Sequence, residues 1–597
     1  MALPPEQHTP TARQPGPTWE QALYGLIVAL ALGIRLASLG AWPLLEEEAA
    51  TALAAWRAVS GATGSQLAHY SPLLYGAHLL LLSLFSGSDG AVRLLPAMVG
   101  GLMPAALYPL RKYLGRYGAL TGAALLAVTP TWVFFSRTAA TPILSAAAML
   151  LVVVAGVRYL HERRDGDAAL GAMALGLGLS AGPEFYTLLF AALLAVLVAL
   201  LAAGEHRAAL RRALGDHWRG VATRGNGLLL LGVWLAASTA LLLHLGGIGA
   251  SADLAGWWLT ALFAPGELSP LALPQVLLTY EFLIIALALI GLGWGLRRQR
   301  TVIEGEEEAR PFWSQRSPLA LFCGFWALIA LVMGTLGGHR EPMWTLAVLL
   351  PLLLLAARGA ELLWRRLLHH TDVYDVCAIG AALTVLGFCF LQVATYTHRG
   401  QMDDLNVARV ALGLLIVAWA AYWYWRGGNA ALRVAIVTLT AVMLLFTGRG
   451  ATAVAYHTAR DAREPLVHRP VSRHMGDFAT WIQTYSSRQA IDAYALDVTY
   501  VHELEPWMGW YLRNFHRAQA VSDVRLAPDH RALVTLPLPQ EQRPYGYTGQ
   551  HFRFREEWPA QTLTLRERLR WFLYRDPVGH APASEFQVWV RLPVAEQ

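Results

Sequence analysis

Charge is scarce in this sequence. Only 15% of its 597 residues are Asp, Glu, Lys or Arg, against 55% hydrophobic, and the mean hydropathy is positive. A soluble chain of this length needs far more charge to cover its surface, so that class is excluded. Lysine is nearly missing: Lys112 is the single one, and arginine supplies the rest of a net charge of +6. Those cations sit in short loops between apolar runs, where they set orientation, so the balance is no sign of a nucleic-acid partner. Cysteine is equally thin. Cys323, Cys377 and Cys389 all fall in apolar runs without metal-ligand spacing, which excludes a disulfide framework. No cleavable signal peptide is expected: residues 1–20 read as a polar, Pro-rich cytoplasmic tail before a retained span.

What the sequence does have is apolar runs of about 17 to 25 residues, the length that crosses a bilayer core. Thirteen are expected, at 21–40, 91–110, 117–135, 142–160, 168–182, 184–204, 226–247, 273–296, 317–336, 342–357, 374–395, 405–425 and 431–448. The fold class is therefore an α-helical polytopic membrane protein, with a transmembrane domain over 21–450. The loops carrying Arg111, Lys112 and Arg116, then Arg163 and Arg164, then Arg207 to Arg224, Arg297 to Arg316 and Arg358 to Arg366 fall on one side. The opposite loops hold few cations. Positive charge inside predicts a cytoplasmic N-terminus, an extracytoplasmic C-terminal region and residence in the plasma (inner) membrane. The short apolar stretch SPLLYGAHLLLLSLF (71–85) would invert that asymmetry if it crossed. It reads as a re-entrant or surface-lying helix inside a large outer first loop, 41–90. The basic stretch 205–224 reads either as a headgroup-binding segment or as a plain basic loop.

Residues 451–597 change character and predict a soluble α/β domain. RALVTLPL (531–538) and FQVWVRLP (586–593) read as strands; FATWIQTY (478–485) and LRERLRWFLY (565–574) read as helices. EPWMGWYLRNF (505–515) has two readings: domain core or interfacial belt, or a wall for a sugar or lipid headgroup.

The first outer loop opens with Glu46, Glu47 and Glu48 directly after an apolar run. A charge at the bilayer centre costs about 2.5 to 3.5 kcal/mol, so charges near spans pair or reach water. Arg93, Arg137, Glu184, Arg340 and Glu341 all fall on the same predicted side as the glutamates. Each alone also reads as an interfacial anchor. Together they describe a wet pocket at the lipid boundary, with arginine forks for phosphate and a carboxylate to deprotonate an acceptor. Arg35, inside the first span, reads as an internally paired or snorkelling cation.

The order of these parts, with HYSPLLYGAHLLLLSLFSGSDGAVRLLPAMVGGL (69–102) and RKYLGRYGALTGAALLAVTPTWVFFSR (111–137), resembles the GT-C superfamily of polyprenol-linked glycosyltransferases. Within it the protein-mannosyltransferase and aminoarabinose-transferase-like branch is most similar, especially the flippase-activity-associated family linked to archaeal N-glycosylation. GGHREPMWTLAVLLP (337–351) resembles that family's Glu-Lys-x-Pro-Trp loop, and EPWMGWYLRNF, FRFREEWP and RWFLYRDP its tail motifs. The resemblance implies a sugar taken from a polyprenyl-phosphate donor on the outer face. It implies that Glu47 and Glu48 are the catalytic acidic pair, with Glu46 a register alternative, that His69 belongs to a His-x-Pro element, and that Arg93 and Arg137 hold phosphate. Glu184, Arg340 and Glu341 complete the substrate-binding set.

Two departures stand out. The second acidic residue expected four or five positions after Arg137 is replaced by Thr141 and Pro142, and the lysine expected before Glu184 by Pro183. The sequence therefore supports a membrane glycosyltransferase, with a catalytically degenerate relative that binds lipid-linked glycans and assists flipping or export as the alternative. Membrane lipids and a polyprenyl-phosphate sugar are the expected partners; the protein or glycan acceptor stays open. So does metal dependence: carboxylates 46–48 are the obvious ligand candidates, and Mg²⁺ or Mn²⁺ would want more oxygens. No internal repeat points to a transporter.

Overall fold

A computed structural model describes residues 18–61, 69–85, 87–202, 215–217, 219–266, 268–296, 318–338, 340–489, 492–523, 531–556, 564–576 and 582–591. The N-terminal tail through residue 17, most of the basic 205–224 stretch and the cations at 297–316 lie outside them. Among the described residues, eight helices are long and apolar enough to cross a membrane, and eleven if three bent pairs each count as one span. Two further expected spans take other forms. Residues 91–110 break into Leu94–Leu102 and a 3₁₀ stretch, Met103–Leu110, and 168–182 becomes the 17-residue helix Asp165–Ala181. The stretch expected to be re-entrant or surface-lying forms Pro72–Leu84, a 13-residue helix too short to span.

The bends have identifiable causes. Arg116–Val128 and Pro130–Ser136 meet at 54°. Pro130 has no N–H to give the carbonyl of Leu126. Arg35 takes its place: Nη2 donates to the Leu126 carbonyl at 2.8 Å, Nη1 to that of Ala127 at 3.0 Å, and Nε to Ser136 Oγ at 2.8 Å. The Thr131 N–H, released from Ala127, donates instead to Glu281 Oε1 at 3.0 Å. Glu281 itself stands at the 92° break between Ala272–Tyr280 and Phe282–Leu296. Two buried polar side chains thus satisfy the backbone groups that the Pro130 kink sets free, as spanning helices in lipid require. Of the two readings of Arg35, snorkelling or internally paired, the structure shows the internal one.

Close helix contacts rest on small residues. At Gly359 an added Cβ would lie 2.0 Å from the Leu287 carbonyl oxygen, and at Gly291 2.2 Å from that of Leu355. Phe282–Leu296 and Thr345–Arg366 therefore touch backbone to backbone.

The C-terminal region folds as a five-stranded sheet of order β2-β1-β3-β5-β4, from β1 (Asp497–Val501), β2 (Arg517–Val521), β3 (Ala532–Thr535), β4 (Tyr547–Glu556) and β5 (Ala583–Arg591). β1 runs parallel to β2 and β3, while β5 is antiparallel to β3 and β4. The helix His474–Gln489 lays Phe478 against Phe552 and Phe586. This core does not end at the sheet: Leu44, Ala49, Ala52 and Tyr75 of the first loop belong to the same buried cluster. The sheet and the acidic loop are therefore packed together at one end of the helical bundle.

Candidate active site

Glu46, Glu47 and Glu48 form the first turn of the helix Glu46–Ser60. Acidic residues suit that place, where unpaired N–H groups carry partial positive charge. Successive positions on a helix point about 100° apart, so three adjacent glutamates face three directions.

Glu48 faces inward. Its Oε1 accepts from Arg93 Nε at 2.9 Å and the Ala139 N–H at 2.6 Å. Its Oε2 accepts from the Leu45 N–H, Arg93 Nη2 and Arg460 Nη2, each at 2.8 Å. Two donors on one oxygen and three on the other occupy every lone pair of the carboxylate. Burial alone would raise its pKa, but the Arg93 and Arg460 charges outweigh that and hold it down at about 2. Glu46 faces the sheet and accepts from Arg555 Nη2 at 2.6 Å.

Glu47 lies between these two, and all three line a small chamber. Thr138, Glu341, His468 and Arg469 share its wall, with Phe134 and Phe135 forming an apolar side. Glu184 is buried behind it, accepting from Thr141 Oγ1 at 2.7 Å and Ser145 Oγ at 3.1 Å, within electrostatic reach of Glu47. Thr141 stands where the resemblance expects the second acid. The structure brings a carboxylate to that hydroxyl from elsewhere in the chain.

The other expected site residues are placed as follows. Arg93 bonds to Glu48 and to the carbonyls of Leu39, Trp42 and Pro43. Arg137 caps the end of the first span, donating to the carbonyls of Ile34, Arg35, Ala37 and Ser38 and lying 4.6 Å from the Tyr456 ring centroid. Arg340 bonds to the carbonyls of Gly337 and Leu268, while its neighbour Glu341 faces the chamber. His69 stacks near Trp257, ring centroids 6.1 Å apart, outside the chamber lining.

Three residues escaped the sequence reading: Arg460, His468 and Arg469. All lie in the connector between the last long helix and the sheet, which reads from sequence as the start of the soluble tail. The cation-rich run VHRPVSR (467–473) was the available signal for His468 and Arg469; Arg460 lies outside it. Arg469 is held at φ +51, in the left-handed region that a non-glycine residue rarely adopts, directly before Pro470.

The aromatic tail motif takes the core reading. It forms the short helix Glu505–Tyr511, with Trp507 and Trp510 fully buried. Trp507 Nε1 donates to the Leu44 carbonyl at 3.1 Å, and Trp510 Nε1 to Asp89 Oδ1 at 2.8 Å. Tyr511 Oη accepts from the Leu44 N–H and donates to Asp89 Oδ2, both at 2.9 Å. Burial, then the Asp89 charge, pushes the phenol pKa well up, so it stays a donor. The tail thus grips Leu44, two positions before the acidic turn. Tyr511→Phe removes both bonds and is expected to cost about 1–3 kcal/mol, read as a lower thermal unfolding midpoint of the solubilised full-length protein.

Among the described residues no group of three or more His, Cys, Asp or Glu is arranged to hold a metal. With Glu46 and Glu48 engaged by arginines, Glu47 and Glu341 are the chamber's other acidic groups. A divalent ion bound there would take one or two of these carboxylates together with substrate phosphate and water.

Residues 71–214 match the family described as dolichyl-phosphate-mannose-protein mannosyltransferase. No curated protein matches the chain. The fold is similar to that of ArnT from Cupriavidus metallidurans bound to undecaprenyl phosphate, with a TM-score of 0.55 and 17% identity over 86% of this chain and 93% of that one. The apo state of the same protein gives 0.54 and 15% over 96% and 98%.

Proposed function

We propose that this chain, an integral membrane protein with the fold of the GT-C superfamily, is a glycosyltransferase that uses a polyprenyl-phosphate sugar as donor. Glu47 is the base. It takes the proton of an acceptor hydroxyl or amide as the acceptor atom bonds to the anomeric carbon. The bond from that carbon to the phosphate oxygen breaks, and polyprenyl phosphate leaves with the electron pair, inverting the anomeric centre. Arg469 and His468, on the same wall, face the departing phosphate.

Glu48, Arg93 and Arg460 are positioning residues in this reading. They fix the turn that carries Glu47 and do not touch substrate. Glu184 supplies the second carboxylate near the base. The observation that carries the proposal is the acidic turn on the chamber wall, in which Glu48 is saturated by donors from the fold and Glu46 pairs with Arg555 of the sheet. Undecaprenyl phosphate bound to a protein of the same fold supports the donor class. The chamber opens, in this proposal, on the extracytoplasmic side, with the N-terminus in the cytoplasm and residues 451–597 as an extracytoplasmic α/β domain.

The test is transfer by the purified full-length protein, reconstituted in vesicles with a panel of polyprenyl-phosphate sugars and acceptors from the same membranes. Release of polyprenyl phosphate together with a glycosylated product is expected. Donor binding with no turnover across the panel would instead favour the lipid-glycan carrier alternative.

A further inference from the structure

One helix of the C-terminal region is built the wrong way round for water. Among the described residues of 451–597, five large apolar side chains are exposed, and three of them lie on the ten-residue helix Leu565–Tyr574 between β4 and β5. They are Leu565, 76% exposed, with Leu569 and Phe572 at 39% each. Their spacing of i, i+4 and i+7 puts them on one face. The stripe turned to the protein is polar instead. Arg566 donates to the Thr397 carbonyl from Nε at 3.0 Å and from Nη2 at 2.8 Å. Arg570 Nε pairs with Asp576 at 3.2 Å, and Asp576 also pairs with His398. Tyr574 Oη donates to the Phe390 carbonyl at 2.6 Å. A surface helix of a soluble domain buries its apolar stripe and turns its charges to water. This helix does the reverse.

Its partners fix where it lies. Thr397, His398 and Phe390 all belong to the spanning helix Val373–Arg399. Arg566 packs over the turn between that span and the next, Met402–Arg426, where an added Cβ at Gly400 would lie 2.6 Å from its Nη1. The 27 residues of the span measure about 40 Å, against about 30 Å of hydrocarbon. About 5 Å of helix therefore projects at each end. Phe390, nine positions before the helix end, lies about 13 Å below it, which is roughly 8 Å inside the hydrocarbon edge. Thr397 to Phe390 is a descent of about 10 Å, and Arg566 to Tyr574 an advance of about 12 Å. The short helix therefore runs down beside the span, antiparallel to it, and does not lie flat across the surface. At the same level of the span, Phe388 and Leu391 are exposed, as a lipid-facing side requires.

We propose that Leu565–Tyr574 is a re-entrant element of the C-terminal region, sunk into the lipid leaflet on the side of the sheet, with Leu565, Leu569 and Phe572 against acyl chains. The inverted pattern is what that solvent demands. Charges at this depth have to be paired, as Arg566 and Arg570 are. Arg568, the cation on the outward face, sits in the first turn, where its long stem can reach the headgroups. Because β4 and β5 flank the helix, the bilayer then holds the sheet through two of its strands. None of this rests on the reaction proposed above.

The test uses full-length protein in phosphatidylcholine nanodiscs. In a background with Cys377→Ala and Cys389→Ala, single cysteines replace Leu565, Leu569 and Phe572 in turn and carry a nitroxide; Gln550→Cys on β4 is the aqueous control. Collision with oxygen is expected to exceed collision with a water-soluble nickel chelate at 569 and 572, and the reverse at 550. Depth should increase by about 10 Å from 565 to 572. Chelate access at all three positions equal to that at 550 would place the helix in water and overturn the proposal. Poor access to both reagents would mark a protein contact, such as a second copy of the chain, and overturn it too. Wild-type protein supplies a readout free of substitution: phosphatidylcholine with a diazirine in its acyl chain should label 565–572 as well as Phe388 and Leu391. Labelling of Phe388 and Leu391 with none at 565–572 would reject the re-entrant placement.

Discussion

Glu47→Gln is expected to lower sugar transfer by about 10²–10⁴-fold, the usual worth of a positioned general base. It should leave the thermal unfolding midpoint nearly unchanged. The two outcomes belong together. Gln keeps the shape of the side chain on the chamber wall and removes its ability to take a proton. Glu46→Gln serves as the neighbouring control. It removes a bond to Arg555 between partly exposed groups, with side-chain exposures of 28% and 38%. Such pairs contribute about 0–1 kcal/mol, so that variant should retain most activity. Glu47→Asp retracts the carboxylate by one methylene, and a misplacement near 1 Å can cost about 10²-fold. Turnover of Glu47→Gln at the wild-type rate would remove Glu47 from the mechanism.

Much of this arrangement was readable in the chain. Long apolar runs gave the helical membrane fold. The shortness of 71–85 marked it as something other than a span, and β-branched runs marked strands β3 and β5. The sequence also put Glu46 to Glu48 on the same expected side as Arg93, and the structure joins Arg93 to Glu48. What it did not give was the division of labour. Three identical adjacent side chains carry no local sign of which faces the core. That is set by Arg460, more than 400 positions away, and by Arg93, a residue equally plausible as a phosphate ligand. Arg137 shows the same ambiguity: a cation at the end of a span can bind a substrate or cap a neighbouring helix, and only packing decides. The kink at Pro130 was legible as a proline. Its completion by Arg35 and Glu281 was not, because both partners come from other helices. Glu184 was picked out from its Gly-Pro turn, but its bond to Thr141 answers the missing second acid in a way no spacing rule anticipates.

The largest effect on stability is expected at Glu48. Arg93 and Arg460 keep side-chain exposures of 1% and 3% against a carboxylate at 2%. Glu48→Gln leaves two buried cations facing a neutral amide, and breaking such a network typically costs about 3–5 kcal/mol. Lower yield and a clearly lower unfolding midpoint should follow, with any loss of transfer tracking loss of fold. Adding Arg460→Met to Glu48→Gln removes one stranded charge and should recover part of the midpoint; additive losses would show that the two residues do not act as a unit. Acidity probes the same network without mutation. The folded-state pKa of Glu48 lies below its ordinary 4.5, so its contribution is fully present above that value. It is lost as the pH falls from 4.5 towards 2, where the carboxylate gains a proton and both arginines lose their counter-charge. Wild-type protein should therefore lose thermal stability over that window, and Glu48→Gln, already without the charge, should show a shallower decline. Parallel pH profiles for the two proteins would mean that other carboxylates dominate acid unfolding and that the triad contributes little.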